Sequence, residues 1–420
     1  MAERLEVQDP DALATNPRSR PLPGEVWLLI ALVLSLSLAW YLHTMVKLLM
    51  ESPFIDFAHY YTYATVVAHG LNPFDPAAVA QVDGLLGIRR AGAPANYPPL
   101  FYLLMRPWTA ISFHSAGVGW LLASHAFLLG SFLCCRRRFG SASALRIAMV
   151  AFVALNYQPL IEDLALGQVN TLLLLLATLA WWAVQAGHLW VAALAVAIAP
   201  FIKPQYGLLL LLLWWTGHRR VLARSLLIVG LAGTAGLVFL GPALHWEYLQ
   251  HLLSLSDAFY IRTANLAPRG AFLRLFGLSG AGSVIADGLA VLVAVALVVL
   301  AGRNIPRSAA PPSPAGDWSW SLALVGIPLI SPFAEEHHLV ILLLPLALLL
   351  LDESGGMASV GEQALLILCL VLLATPYSLD RFSIFHQGLP SLLANGKLVG
   401  VGTLAWILIR RLRALRECAP

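Results

Sequence analysis

The sequence predicts an all-α, polytopic membrane protein. Of its 420 residues, 59% are hydrophobic and only 11% are charged, and the mean hydropathy is +0.77. Soluble domains carry about 25% charged residues, so a soluble enzyme is not expected. Leucine-rich runs recur along nearly the whole chain, as in helical membrane proteins, and the alternating pattern of transmembrane β-strands is not found.

The apolar runs mark the predicted helices. A bilayer needs about 20 residues of helix, and several of the runs are shorter than that. The runs that meet at 187–188 and at 203–204 are therefore predicted to form tight helical hairpins. The segments are 25–47, 98–113, 116–134, 145–161, 167–185, 188–202, 205–216, 221–241, 284–301, 318–332, 338–351, 362–376 and 396–411.

The domain organisation is simple. Residues 1–24 are predicted to be a cytoplasmic tail, and residues 25–416 a single multi-span domain. No small-residue cleavage site cleanly follows the first apolar run, which is expected to stay as a span. The four cysteines lack metal-ligand spacing and are interpreted as small apolar residues.

Basic residues near the segment ends predict the orientation, since cytoplasmic loops are enriched in Lys and Arg. All the arginine groups can be cytoplasmic if segment 98–113, which begins with two prolines, does not cross and the other segments do. This gives about 12 transmembrane helices with both termini in the cytoplasm. The loops 51–97 and 242–283 then lie on the outer face of the plasma membrane.

The first outer loop contains the sequence DFAHYYTYATVVAHGLNPFD, residues 56–75. Helical spacing places Tyr60 and Tyr61 along one flank, which predicts an interfacial helix with aromatic anchors that ends before Asn72. All three are candidates for a substrate groove. Asp56 can cap this helix, and it can also serve as a general base at the membrane boundary. The two roles are compatible.

Further polar residues on the outer face are candidates for the same groove. Tyr97 precedes two prolines, which force an extended entry into the membrane, and a purely structural break is the alternative. Asp163 is a second candidate for the base. Gln168 and Asn170 enter the next span, where they either line a polar groove or hydrogen-bond neighbouring helices.

Two positions could bind a phosphate. Lys203 is a compact cation suited to that role, although a lysine there can also extend to the lipid headgroups. The cluster AEEHH, residues 334–338, places His337 and His338 at a predicted membrane boundary, where ionisable groups are costly. One of them is predicted to bind phosphate, with interfacial structure as the alternative. Adjacent helical residues point about 100° apart, which disfavours joint metal binding. No metal site or cofactor is predicted, and a divalent ion is left open.

The motifs DFxxYY, GxNPFD, YPPL, GQVN, KP and SPxxxEHH follow one another between residues 54 and 345. In order and spacing they resemble the GT-C glycosyltransferases of family 87, the polyprenyl-phosphate-mannose-dependent mannosyltransferases. The resemblance implies a GT-C-type bundle that transfers a sugar from a polyprenyl-phosphate donor to a lipid or glycan hydroxyl, with inversion, at the outer face. It also implies that Asp56 is the base, that His337 or His338 lies near the donor phosphate, and that Lys203 is the lysine of the KP motif.

Other functions stay open from the sequence. The family pattern usually has an aromatic residue before the histidines, where this chain has Ala334, Glu335 and Glu336. The sugar and the acceptor are therefore not determined. A transporter or lipid flippase would also line a path with polar residues, but it usually shows internal repeats, and none is found. A ligase acting on a polymer would use similar chemistry. Membrane lipids are expected partners, and nucleic acid is not, since no nucleotide-binding glycine pattern occurs.

Overall fold

The computed structural model describes residues 22–52, 54–88, 96–255, 257–307, 313–352, 359–376 and 379–417. Within these ranges every regular element is a helix, which confirms the all-α fold class. Of the predicted N-terminal tail, residues 1–21 lie outside the described part of the chain.

The α-helices follow the apolar segments closely. Each of the predicted segments contains a helix, and further helices lie in the polar stretches between them. In chain order they are α1 (Gly24–Glu51), α2 (Ile55–Ala68), α3 (Pro76–Leu86), α4 (Pro99–Met105), α5 (Phe113–Ser141), α6 (Ala144–Leu155), α7 (Gln158–Leu166), α8 (Asn170–Ala186), α9 (Leu189–Ile202), α10 (Leu208–Trp215), α11 (Arg219–Leu240), α12 (Pro242–Ser254), α13 (Asp257–Tyr260), α14 (Pro268–Phe276), α15 (Gly280–Asn304), α16 (Pro314–Ile330), α17 (Leu343–Leu351), α18 (Val360–Ala374) and α19 (Gly396–Glu417).

Short 3₁₀ helices link several of these elements. They are Arg106–Ala110, Pro204–Gly207, Glu336–Leu342, Leu379–Arg381, Ser383–Phe385 and Leu389–Asn395. The predicted hairpin at 187–188 is confirmed: α8 ends at Gly187, whose φ of 76° is left-handed, and α9 packs back along α8.

Five helical segments in the described ranges are long and apolar enough to cross a membrane: α1, α5, α11, α15 and Leu389–Glu417. A sixth span is possible if α6 and α7, which meet at an angle of 43°, act together. The chain is therefore a polytopic membrane protein. Other apolar helices, such as α8 and α9, have 10–17 residues. The twelve crossings stay a prediction.

Segment 98–113 does not form a long helix. It folds as the seven-residue α4, followed by the 3₁₀ helix Arg106–Ala110. The two elements together are shorter than the roughly 20 residues that a helix needs to cross a bilayer. This geometry agrees with the prediction that segment 98–113 does not cross the membrane.

The core of the bundle is built around α8, which packs against α5 and α9. Small residues allow α9 to approach closely, since Ala192, Ala193 and Ala199 are fully buried. In contrast, few residues of α1 and α15 are buried within the chain, and only 6% of their apolar windows is buried. These two helices therefore form the periphery that lipid would cover.

The aromatic residues of α2 do not lie on the protein surface. Phe57, Tyr60, Tyr61 and Tyr63 are all buried, with exposures of 0–4%, and α2 packs against α3 and α4. The predicted helix is present, but its aromatic residues are part of the protein core rather than anchors at a lipid interface. The reason is that α4 and the residues after it cover this flank of α2.

The predicted orientation can be tested with two exposed glycines. Gly84 lies in the outer loop and Gly140 near a basic group predicted to be cytoplasmic, and a Cβ at either position meets no atom within 4 Å. In a chain without its native cysteines, Gly84→Cys is expected to react with a membrane-impermeant thiol reagent on intact cells, whereas Gly140→Cys reacts only after the cells are opened. The reverse pattern would show that the orientation is inverted.

Candidate active site

A cavity of about 880 Å³ lies beside the N-terminal end of α2. Its walls come from α2, the turn before α4, the start of the 3₁₀ helix at Pro204, α12, α13 and the loop after α16. Six of the residues predicted from sequence line it: Asp56, Tyr60, Tyr97, Gln168, Lys203 and His338. Residues far apart in the chain thus share one polar space.

A glycine at the end of α7 allows the start of α2, which carries Asp56, to pack closely against it. Gly167 ends α7 with a φ of 69°, and a Cβ at this position would lie 2.7 Å from the Cβ of Phe57. Phe54, which precedes α2, has a left-handed φ of 42° and also packs on Gly167. The Ser52 hydroxyl adds a bond of 2.7 Å to the Ala165 carbonyl. Residue 167 must therefore be glycine for α2 to reach this position.

The Asp56 carboxylate is held by an amide. The Nε2 of Gln168 donates a hydrogen bond of 2.7 Å to Oδ2 of Asp56. Tyr60 donates a bond of 2.6 Å to Oε1 of the same amide, and the hydroxyls of Tyr60 and Tyr97 lie 2.8 Å apart. Phe54, not Asp56, is the residue that caps α2, and Asp56 lies within the first turn. Asp56 is thus placed at the cavity rather than used as a cap.

The lysine of the site is buried, and hydrogen bonds connect it to residues behind the cavity. Nζ of Lys203 donates a bond of 2.8 Å to Oδ1 of Asn170, and Nδ2 of Asn170 donates one of 2.7 Å to Oδ1 of Asp163. Asp163 and Asn170 are buried behind the cavity and are not among the residues that line it. Burial lowers the pKa of Lys203, and the nearby Asp163 carboxylate opposes this change. Asp163 therefore acts as a counter-charge for the lysine.

The two adjacent histidines have different surroundings. Nδ1 of His338 accepts a bond of 3.0 Å from the Glu335 backbone N–H, and the Glu335 carboxylate accepts the His338 backbone N–H in return. An accepting Nδ1 belongs to a neutral ring that carries its proton on Nε2. Since His338 lines the cavity, this ring nitrogen is a hydrogen-bond donor at its wall.

His337 does not line the cavity. It is 1% exposed and lies between two carboxylates. Its Nδ1 is 3.9 Å from Glu162 and its Nε2 is 3.6 Å from Glu335. Of the two histidines predicted to bind phosphate, only His338 is positioned to contact a molecule in the cavity.

Two predicted groove residues lie away from the cavity. The Tyr61 hydroxyl donates a bond of 2.7 Å to the Ile111 carbonyl, and the Tyr61 ring packs against Phe113. Asn72 closes the turn before α3 and hydrogen-bonds Glu247 on α12. Tyr61 is adjacent in sequence to Tyr60, and neighbouring helical residues point in different directions. Of these two tyrosines, Tyr60 lines the cavity and Tyr61 does not. Tyr61 and Asn72 were predicted to line the substrate groove, but both instead make contacts that hold the fold together.

The loop that carries Glu335 is held by two buried residues that the sequence did not reveal. Asn265 accepts the Ala334 N–H at 3.0 Å and donates to the Pro332 carbonyl at 3.2 Å. Arg274 is 1% exposed and donates to the Arg262 and Asn265 carbonyls. Their partners are distant in sequence or are backbone atoms, so no local motif marks them.

The remaining cavity charges are Glu335 and Arg262. Burial raises the pKa of Glu335, an effect that its neighbour His337 reduces. The described residues contain no group of three or more His, Cys, Asp or Glu side chains with metal-binding geometry. The cavity thus offers two carboxylates, a buried lysine, a neutral histidine donor and an arginine around one space.

The fold and the cavity together define a helical membrane protein with a cavity lined by several charged and polar side chains. The profile of glycosyltransferase family 87 matches residues 96–332, more than half of the 420-residue chain. The chain belongs to this family and is a membrane glycosyltransferase. No curated protein matches it. Asp56 and His338 lie outside the matched residues, whereas Tyr97, Gln168 and Lys203 lie within them.

The close contact at Gly167 predicts a specific sensitivity to substitution. Gly167→Ala must accept a left-handed φ, at about 1 kcal/mol, and the contact with Phe57 adds about 1–3 kcal/mol of overpacking. Gly187 ends α8 with a similar φ of 76°, but a Cβ there meets no atom within 4 Å. The melting temperature in detergent is therefore expected to fall more for Gly167→Ala than for Gly187→Ala, and only Gly167→Ala should reduce transferase turnover. Equal losses in both variants would contradict this interpretation.

Proposed function

We propose that this glycosyltransferase transfers a sugar, mannose by family resemblance, from a polyprenyl-phosphate donor to a hydroxyl of a lipid or glycan acceptor. The reaction takes place at the outer face of the plasma membrane and inverts the anomeric carbon. The observation that carries the proposal is that Asp56 and Lys203 line one cavity, which supplies a base and a cation to the same reacting molecules.

The first half of the chemistry is removal of a proton. The Gln168 amide donates a hydrogen bond to Oδ2 of Asp56, and within the described residues no hydrogen bond is made to Oδ1. This second oxygen is available to accept the proton of an acceptor hydroxyl. As the proton passes to Asp56, the hydroxyl oxygen attacks the anomeric carbon, which is general base catalysis.

The second half is departure of the phosphate. The bond between the anomeric carbon and the phosphate oxygen breaks, and its electron pair leaves with the polyprenyl phosphate. Negative charge therefore grows on the phosphate, and cations and N–H donors fixed beforehand stabilise it. The groups suited to this role are the Lys203 ammonium, the Nε2–H of His338 and the Arg262 guanidinium, all of which line the cavity.

The size and lining of the cavity suit a lipid-linked sugar. Its volume of about 880 Å³ is large enough for a donor sugar phosphate beside an acceptor sugar. One wall is apolar, with Leu252, Leu255 and Phe259, which fits the first isoprene units of a polyprenyl chain. Family membership favours this function over a transporter or flippase, which would use the polar residues as a path.

Asp56→Asn tests the base. The amide keeps the shape of the side chain but cannot accept the proton, so kcat is expected to fall by about 10²–10⁴-fold while donor binding is unchanged. Purified protein in detergent is assayed for transfer of label from polyprenyl-phosphate mannose, and donor affinity is measured by equilibrium binding.

Asp83→Asn is the matched control for the base. Asp83 lies on α3 in the same outer loop, accepts a hydrogen bond of 2.9 Å from Thr62, and does not line the cavity. Its turnover is expected to stay near that of wild type. Full transfer by Asp56→Asn would remove Asp56 from the mechanism.

Lys203→Gln tests the phosphate ligand. Glutamine can still donate to Asn170, but it has no charge to offer the donor. A hydrogen bond to a charged group contributes about 1.5–3 kcal/mol, so the KM for the donor is expected to rise about tenfold to hundredfold. Lys47→Gln, on the exposed surface of α1, removes the same charge at a residue that does not line the cavity, as a control. An unchanged KM in Lys203→Gln would rule out phosphate binding by this lysine.

A further inference from the structure

We propose that Gln168 is a positioning residue for the Asp56 carboxylate, and that Tyr60 and Tyr97 set the orientation of the Gln168 amide. This inference rests on the proposed function, because it assigns Asp56 the role of base. It adds a second set of residues that act on the base without touching the reacting atoms.

The direction of each hydrogen bond follows from the chemistry of the groups. A glutamine amide has one acceptor oxygen and one NH₂ donor. Because the Tyr60 hydroxyl donates to Oε1 at 2.6 Å, the NH₂ group must face Asp56, where Nε2 lies 2.7 Å from Oδ2. Since the Tyr60 proton is used for Oε1, the Tyr97 hydroxyl is the donor in the 2.8 Å contact between the two phenols, and it also lies 3.3 Å from Oε1. The chain of bonds therefore runs from Tyr97 through Tyr60 and Gln168 to the base.

The tyrosines can only fix the amide if they keep their protons. Tyr60 is 1% exposed, and burial raises its pKa well above the usual value of 10, with nearby Tyr97 and Asp56 adding to the rise. Burial raises the pKa of Tyr97 as well. Both phenols stay neutral donors throughout the pH range of an enzyme assay, so the amide keeps one orientation.

Gln168 itself is rigidly placed. It is 5% exposed, and its backbone carbonyl accepts a bond of 3.1 Å from the Trp120 indole. It follows Gly167, whose contact with Phe57 fixes the distance between α7 and α2. The amide therefore holds Oδ2 and leaves Oδ1 as the oxygen that faces the acceptor.

Gln168→Glu is the sharpest test. The substitution keeps the shape and the acceptor for Tyr60, but it replaces the NH₂ that faces Asp56 with a second carboxyl oxygen. Two carboxyl groups at this distance share one proton, which keeps the base protonated to higher pH. The acid side of the pH profile of kcat/KM is expected to move upward by about one unit or more. At pH 7 the introduced carboxylate no longer donates to Oδ2 and repels it, so Asp56 loses its fixed orientation. We therefore expect kcat to fall about tenfold while the KM for the donor stays close to wild type.

The other titratable groups that act on Asp56 are the same in wild type and variant, so they do not confound the shift. They are Tyr60, Tyr97, Glu162, Lys203, Glu335 and His337. The matched control is Gln205→Glu, which adds the same charge to the same cavity at a residue with no hydrogen bond to Asp56. Its pH profile is expected to follow that of wild type.

Tyr60→Phe keeps the inference testable if Gln168→Glu does not fold, as judged by its melting temperature. Loss of the 2.6 Å donor leaves Oε1 with only two longer contacts, 3.3 Å from the Tyr97 hydroxyl and 3.4 Å from the Val169 N–H. The amide is then held less firmly, so kcat should fall about tenfold at an unchanged donor KM. Tyr61→Phe removes a hydroxyl that bonds the Ile111 carbonyl outside the cavity, and it should leave kcat unchanged.

The outcomes separate this inference from the proposed function. If Asp56→Asn retains full turnover, the base is wrong and the proposed function fails with it. If Asp56→Asn is inactive but Gln168→Glu shows the wild-type pH profile, or Tyr60→Phe the wild-type kcat, then Asp56 is the base and the positioning role is overturned. A shifted profile in Gln168→Glu, absent from Gln205→Glu, supports it.

Discussion

The contact of Gly167 with Phe54 and Phe57 is the constraint on which the rest of the site depends. It has two requirements, a left-handed backbone at residue 167 and no side chain there, and only glycine meets both. Because α2 and the end of α7 touch at this point, Gln168, the next residue, reaches Asp56 at 2.7 Å. A side chain at residue 167 would separate Asp56 from the amide that holds it.

The turn between α7 and α8 supports both sides of the reaction. Before the turn, in α7, Asp163 provides the counter-charge for Lys203 through Asn170, the first residue of α8. Within the turn, Gln168 holds Asp56. Burying a lysine without a partner is costly, and the hydrogen-bonded carboxylate reduces that cost. This turn and the helix ends beside it therefore set the distance between Asp56 and Lys203, and a displacement of the turn would disturb both together.

Local pattern was enough to find the helices and several residues of the candidate site. Apolar runs mark helices directly, and Asp56, Lys203 and the adjacent pair His337 and His338 stand out as charged or titratable groups at segment ends. Pattern could not separate Tyr60 from Tyr61, because helical direction is set by packing against α4 and Phe113. It also could not find Asn265 or Arg274, whose partners lie as far away as Pro332 and Asn395. Such contacts exist only after the chain has folded. The lengths of the helices do not determine the number of membrane crossings, because α8 and α9 are apolar but shorter than a bilayer span.

The histidine pair shows how charge is balanced in the cavity. His338 uses Nδ1 to accept the Glu335 backbone N–H, so its ring is neutral and contributes a donor but no charge. The positive charge at the cavity wall must therefore come from Lys203 and Arg262, and that of Lys203 is partly balanced by Asp163 behind it. A site with this balance binds an anion less tightly than three full cations would. Weaker ground-state binding is useful when the phosphate is the leaving group, because stabilisation that grows with the developing charge lowers the barrier, whereas equal binding of both states does not.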